Sequence, residues 1–377
     1  MNTKQTQKIT DATMPHGVPP NALSAESARV PLPDHGGQVK AIMQHFAGAT
    51  EPFVDLSTGI SPFAYPLVWP EPDALHRLPE EGEEHALQQA AARAYGVSSP
   101  DMVVSGAGSQ SLIALLPRLL GVQKACVLGP TYSGHRLAWQ HNGVAWAGAT
   151  HVQQLSLAAQ QGGVACVVCN PNNPDGRLLD RQTLAALAEQ CARTRSWLVV
   201  DEAFGDFANQ SVASMLPHPA LVVLRSFGKT YGLPGVRLGF LLASAPLAHR
   251  ARDMLGAWPV GTLALAVGRQ ALADTQWLEQ TACRAGMAHD RLVGMLRKAG
   301  LACRGHASLF TLVDVAQAYA LWEHLCRHGI VTRRFAEQPQ CLRIGLPANE
   351  QAWMRLECAL AAWQAGQHKA TERPGKD

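Results

Sequence analysis

Two segments carry residues whose types and spacing point to chemistry. In WLVVDEAF, Asp201 follows four apolar residues, so its carboxylate emerges at the carboxyl end of a buried strand, where open parallel sheets place their ligand crevices. An acid taken out of water in this way requires a cationic partner. The next apolar run opens LVVLRSFGKTYGLPGVRLG, a glycine-punctuated loop with Ser226, Lys229 and, eight residues beyond the lysine, Arg237. Singly, each has an ordinary reading: Asp201 as a helix cap, Lys229 as a solvated loop charge, Arg237 as its ion-pair partner. Together they bring an acid, a hydroxyl, an amine and a guanidinium to two neighbouring strand ends.

Pyridoxal phosphate demands this set: a lysine for a Schiff base, an acid for the ring nitrogen and an anion cradle for the phosphate. The cradle would take Ser226, Arg237 and the backbone N–H groups of SGAGSQSLIALL, where Gly108, Ser109 and Gln110 open an apolar-faced helix after the run MVVS. Gly106-Ala107-Gly108 lacks the third glycine of a dinucleotide fingerprint. Gly228-Lys229-Thr230 lacks the upstream glycine of a P-loop, so ATP is not favoured.

The elements that must position these groups alternate along the middle of the chain. Short unbroken runs (MVVS, ACVL, VACVVC, WLVV, LVVLR, LGFLL) read as strands buried on both faces, and stretches such as LDRQTLAALAEQCARTR, with Asp180 as N-cap, read as covering helices. This is the pattern of an α/β fold with a mostly parallel mixed sheet. From residue 259 a long helical stretch precedes HASLFTLVDV, a helix, GIVTRRF, CLRIGL and a last helix from Asn349, a smaller α+β unit. The expected organisation is a flexible extension over 1–30, an arm over 31–60 packing on the smaller unit, a large domain over 61–258, a small domain over 259–365 and a flexible tail over 366–377.

Composition bounds the partners. The 377 residues are 47% apolar and 16% charged, which suits a compact fold. A net charge of +3 is too small for a nucleic-acid binder, and no window approaches the length of a membrane span. Nine scattered cysteines with one close pair suit a reduced cytoplasm. The close pair Cys166 and Cys169 lacks a second pair or a histidine cluster, so both are expected to be packing residues, and no metal is expected.

With NPNNPDGRLL, VVDEAF and SFGKTYGLPGVRLG in this order, the chain resembles the fold-type-I pyridoxal-phosphate enzymes of the aminotransferase class I/II superfamily over about residues 35 to 365. The resemblance implies Lys229 as the residue linked to the cofactor, Asp201 on the ring nitrogen, Asn173 on the ring oxygen and Tyr132, in GPTYSGH, stacked on the ring. Many relatives have a tyrosine where this chain has Phe204. The tyrosine that some relatives send to the neighbouring subunit is also missing from Arg77-Leu78-Pro79-Glu80, although a homodimer is still implied.

Within the superfamily, DHGGQV and VDLSTGISPF resemble segments of the threonine-phosphate decarboxylases of cobalamin biosynthesis, with histidinol-phosphate aminotransferases next. Gly59 departs from the asparagine of some members. By resemblance, His35, Gly36, Gly59 and Asn173 belong to the substrate site, Arg343 clamps the α-carboxylate and Arg333 the substrate phosphate, while Arg334 points to solvent. The implied reaction is loss of CO2 from O-phospho-L-threonine. The alternatives are transamination of the histidinol-phosphate type and a non-catalytic binding protein, which intact Lys229 and Asp201 disfavour.

Overall fold

The computed structural model describes residues 33, 35–67 and 69–371. The expected extension over 1–30 and the end of the expected tail, 372–377, lie outside the described residues. In chain order the elements are α1 (Val39–Met43), β1 (Val54–Asp55), α2 (Glu81–Tyr95), β2 (Val103–Gly106), α3 (Ser109–Leu120), β3 (Lys124–Leu128), α4 (Ser133–His141), β4 (Ala145–Ala149), α5 (Val152–Gln160), β5 (Val164–Cys169), α6 (Arg181–Arg193), β6 (Trp197–Asp201), β7 (Leu221–Ser226), α7 (Phe227–Thr230) and β8 (Gly239–Leu242). They continue with α8 (Ala245–Leu255), α9 (Thr262–Ala273), α10 (Thr275–Lys298), β9 (Ala302–Arg304), β10 (Phe310–Asp314), α11 (Ala318–Arg327), β11 (Ile330–Val331), β12 (Arg333–Phe335), β13 (Gln338–Gly345) and α12 (Glu350–Thr371).

A seven-stranded sheet runs in the order β2-β8-β7-β6-β5-β3-β4. The five strands from β7 to β4 are parallel, and β8 lies antiparallel between β2 and β7. Both faces are buried, which is why these strands are continuous Val, Leu and Cys runs rather than alternating ones. Val164, Cys166, Val168, Leu198, Val200 and Val223 feed one core, and Val167, Val199, Val222 and Leu224 feed the other, with α3, α4 and α8. This period of two places Cys169, Asp201 and Ser226, at the ends of their strands, on the α3–α4 side. Glu202 and Arg225, one step out of phase, turn to the opposite side and form a buried ion pair that Asp206 joins. The alternation separates the crevice groups from a structural ion cluster behind them.

Asp180 caps α6 as its sequence suggests, its carboxylate accepting from Thr183 N–H at 2.7 Å. The edge strand β4, AWAGA, is not evident from sequence: most of it is exposed, so no apolar run marks it. A second core gathers β10, β13, α10, α11 and α12 under a four-stranded sheet of order β12-β13-β10-β9. Ile42, Met43 and Phe46 pack into this core, and β1 pairs parallel with β11. The helix α12 continues through residues 366–371. Among the described residues, no helix is long and apolar enough to cross a membrane.

Candidate active site

The carboxyl ends of β2, β3, β5, β6 and β7 open into one cavity of about 730 Å³, closed from above by β12, β13 and the segment around His35. Of the residues expected from sequence, Gly108, Ser109, Gln110, Tyr132, Asn173, Asp201, Ser226, Lys229, Arg237, His35, Gly36, Arg333 and Arg343 all line it. Gly59 does not. A Cβ there would lie 2.7 Å from Phe310 Cδ1 and 2.8 Å from Phe204 Cε1. The residue is glycine because the edge-on pair Phe204–Phe310 occupies the space, and its neighbours Thr58 and Ile60 reach the cavity instead.

The structure brings the residues expected to form the anion cradle to one cavity. Gly108, at φ 80°, precedes the first turn of α3, whose leading N–H groups have no intrahelical acceptor. A Cβ on Gly108 would lie 2.5 Å from Arg237 Nη2, so glycine is what lets this guanidinium reach the helix end. Arg237 itself adopts φ 55°, the left-handed region, after the turn Leu233–Val236. Ser226 completes the group from the end of β7. Tyr132 leads into α4 and donates to Gln110 Oε1 at 2.8 Å, which fixes its ring beside the cradle.

At the floor, Asp201 is 4% exposed and its oxygens are divided between partners. Oδ1 accepts from Ala203 N–H at 3.0 Å. Oδ2 lies 2.8 Å from His135 Nε2 and 3.8 Å from Cys169 Sγ. Burial lowers the His135 pKa, but the neighbouring Cys169 and Asp201 outweigh it and push it up to about 10, so the ring is the buried cation that Asp201 requires. His135 is not marked by any motif in the sequence. Its available signal was position: three residues after Tyr132 on α4, over the strand that neighbours Cys169. The expectation that both CxxC cysteines are packing residues is half right, since Cys166 enters the core while Cys169, of opposite phase on β5, meets Asp201.

Lys229 projects from the single-turn helix α7, its Nζ 5.4 Å from the Phe204 ring centre. Burial, with repulsion from Arg343 and Arg237 and partial compensation from Asp201, brings its pKa down to about 8. An amine at that value is readily neutral, the form that attacks a carbonyl.

The roof supplies two guanidiniums on one rung. Arg333 and Arg343 are direct partners in the β12–β13 ladder, so their side chains share the cavity face. Arg343 is buried, donating to Asn173 Oδ1 and to Ser57 O at 2.7 Å. Burial and the field of Arg333, opposed by Asp55, lower its pKa to about 9. Arg333 donates to Pro33 O at 2.7 Å. Arg334 does not point to solvent: the other face of β12 lies over α11, and its guanidinium stacks 3.8 Å above the Trp322 ring. Crowding two guanidiniums on one rung favours an anionic occupant between them.

Amine, buried acid, aromatic ring and phosphate cradle together fit pyridoxal phosphate, with Gly108 leaving the room that brings the Arg237 guanidinium to the cradle. Comparison with known proteins agrees. Residues 73–358 match the family described as Aminotransferase class I and II. The chain is 38% identical to the threonine-phosphate decarboxylase of Pseudomonas aeruginosa over 89% of its length and 99% of that protein. It is 30% identical to a histidinol-phosphate aminotransferase of Oleidesulfovibrio alaskensis over 76% of the chain and 80% of that protein. In fold it is similar to the L-threonine-O-3-phosphate decarboxylase of Porphyromonas gingivalis, with a TM-score of 0.68 and 19% identity over 82% of this chain and 98% of the other. The Sinorhizobium meliloti histidinol-phosphate aminotransferase in complex with pyridoxal-5'-phosphate gives a TM-score of 0.71 and 23% identity over 83% and 91%. By fold, site and sequence match, the chain belongs to the aminotransferase class I and II family.

Proposed function

We propose that the protein is a pyridoxal-phosphate-dependent decarboxylase of O-phospho-L-threonine, giving 1-aminopropan-2-yl phosphate for the cobalamin side chain. The observation that carries this reading is the shared rung of Arg333 and Arg343 over Lys229: it suits a substrate with two anionic ends, and the 38% identical relative bears the matching name. When bound, pyridoxal phosphate supplies a ring that accepts the electron pair released as the carboxylate leaves. Ser226, Arg237 and the first turn of α3 would hold its phosphate, Asn173 its ring oxygen, and Tyr132 its flat face. Asp201, paired with His135, would hold a proton at the ring nitrogen. Arg343 binds the substrate carboxylate, and Arg333, near His35 and Gly36, binds the substrate phosphate by charge-assisted hydrogen bonds. Lys229 then returns a proton to Cα, a task suited to a pKa near neutrality.

Phe204 lies beside the Lys229 amine and Phe310 beside the Arg343 guanidinium, apolar neighbours that reduce screening on those sides of the cavity. The exposed side chains of Trp69, Leu75, Leu78 and Trp258 support a homodimer, since large exposed apolar groups mark association surfaces. Nine free thiols support a cytoplasmic setting.

Incubating the cofactor-loaded protein with O-phospho-L-threonine tests the reading. CO2 release without any 2-oxo acid is expected. Amino transfer to a 2-oxo acid with no CO2 would favour the second reading, an aminotransferase of the histidinol-phosphate type, which the 30% identical relative supports.

A further inference from the structure

The trio beneath the ring site has a composition that the reaction does not need. An acid and one cation suffice to hold a ring-nitrogen proton, yet Asp201 Oδ2 also faces a thiol, and His135, Cys169 and Asp201 come from three different elements, α4, β5 and β6. Their ligand atoms all lie within 4.8 Å of one another, and all three residues are buried. We propose that in the cofactor-free protein His135, Cys169 and Asp201 bind one thiophilic divalent cation of the zinc class, and that cation and pyridoxal phosphate exclude each other.

The donor set decides the class of ion. A thiolate and an imidazole with one carboxylate select zinc over magnesium or calcium, which require all-oxygen shells. Zinc bond lengths of about 2.0–2.3 Å in a tetrahedron put neighbouring ligand atoms roughly 3.3–3.7 Å apart. The Cys169–Asp201 separation of 3.8 Å is close to that spacing. The His135–Asp201 separation of 2.8 Å is a hydrogen-bond distance and must open by about half an ångström to admit the ion. Three protein ligands leave a fourth position, and it faces the cavity, because Cys169 and Asp201 are part of the cavity wall while His135 stands behind them. An ion therefore has an entry path and room for a water. Cys166 takes no part, since it lies on the opposite face of the strand.

Two features keep the site weaker than a dedicated zinc centre, the first being that the ion must displace the proton that His135 holds beside Asp201. His135 Nδ1 has no hydrogen-bond partner among the described residues, whereas ligating histidines ordinarily donate their second N–H to an acceptor. Binding in the micromolar range is expected. Exclusion follows from Asp201, whose carboxylate cannot both ligate an ion and accept the hydrogen bond of the protonated ring nitrogen. The site rests on these side chains alone; only the exclusion rests on the cofactor reading given above.

The test uses the full chain after removal of cofactor by dialysis against hydroxylamine, titrated calorimetrically with ZnCl2 and, spectroscopically, with CoCl2. One zinc per chain and a thiolate-to-cobalt charge-transfer band are expected. Cys169→Ser should abolish the band and weaken zinc binding at least tenfold, and His135→Gln should weaken it similarly, with metal-free thermal unfolding verifying that each variant folds. The double variant Cys283→Ser/Cys358→Ser, which removes the two exposed thiols, should bind as wild type does. Absence of stoichiometric binding, persistence of the cobalt band in Cys169→Ser, or its loss in the surface variant would overturn the site. Preloading with pyridoxal phosphate should eliminate zinc binding; undiminished binding in protein shown to hold the cofactor would overturn the exclusion and leave the site standing.

Discussion

Replacing Asp201 by asparagine separates the electrostatic role of the acid from its shape. The side chain keeps its volume and can still accept from Ala203 N–H, but the counter-charge 2.8 Å from His135 Nε2 is lost. His135 is fully buried, with a pKa pushed up to about 10 while the acid is present, so at pH 7 the variant must either hold an unpaired cation or release its proton. Breaking a buried pair by removing one partner costs about 3–5 kcal/mol. The same range expressed on a rate is roughly 10² to 10⁴ in kcat/KM. Urea denaturation and decarboxylation kinetics on the same preparations read both quantities. The double variant Asp201→Asn/His135→Gln sharpens the argument, because it removes the stranded cation without restoring the acid. Stability should recover by most of the loss, while activity stays low. If the double variant is destabilised by the sum of the single effects, or if Asp201→Asn turns over at near wild-type rate, the reasoning about this pair is wrong.

Other expectations follow from the same geometry. Borohydride should fix the cofactor to a single peptide containing Lys229, and Lys229→Ala should bind it without covalent attachment; a labelled peptide elsewhere would contradict the placement. Because the Lys229 pKa is lowered to about 8, the neutral amine predominates above that pH, so competitive labelling of the cofactor-free protein with a small amine reagent should be half-maximal near pH 8 instead of near 10.5. Arg333→Ala should reduce discrimination between phosphothreonine and threonine, whereas Arg343→Ala should weaken both, by about tenfold or more for charged hydrogen bonds of about 1.5–3 kcal/mol. Comparing kcat/KM for both substrates decides it, and an unchanged phosphate preference in Arg333→Ala would move the phosphate site. Gly108→Ala should weaken the cofactor's hold, seen by equilibrium dialysis, because its Cβ meets Arg237 and its φ is positive; wild-type affinity there would argue against the cradle.

Much of the crevice is legible in the sequence because a strand buried on both faces is an unbroken apolar run, and its first polar residue marks the sheet edge. Asp201 can be found in this way, Ser226 and Lys229 lie just beyond the next such run, and the fold class comes with them. The remainder depends on which side of an element a residue faces. Cys169 and Cys166 read as one CxxC, yet the period of two sends them to opposite faces, a signal present in their spacing. His135 has no such mark: a single histidine in a helix's first turn acquires its meaning only when β6 brings Asp201 beneath it. The alternation of Arg333 and Arg334 is visible, but Arg334 turns toward Trp322 because α11 covers that side of β12, which is a matter of tertiary packing. Gly59 is read as a contact with substrate, but the packing of Phe204 on Phe310, remote in sequence, fixes its role.

The central claim is tested most directly by the products formed from O-phospho-L-threonine alone. Purified protein supplied with pyridoxal phosphate and no 2-oxo acid should release CO2 and 1-aminopropan-2-yl phosphate in equal amounts through many turnovers, and should discriminate strongly against L-threonine. Absence of CO2 from the phosphorylated substrate, or equal turnover of threonine, would contradict the account.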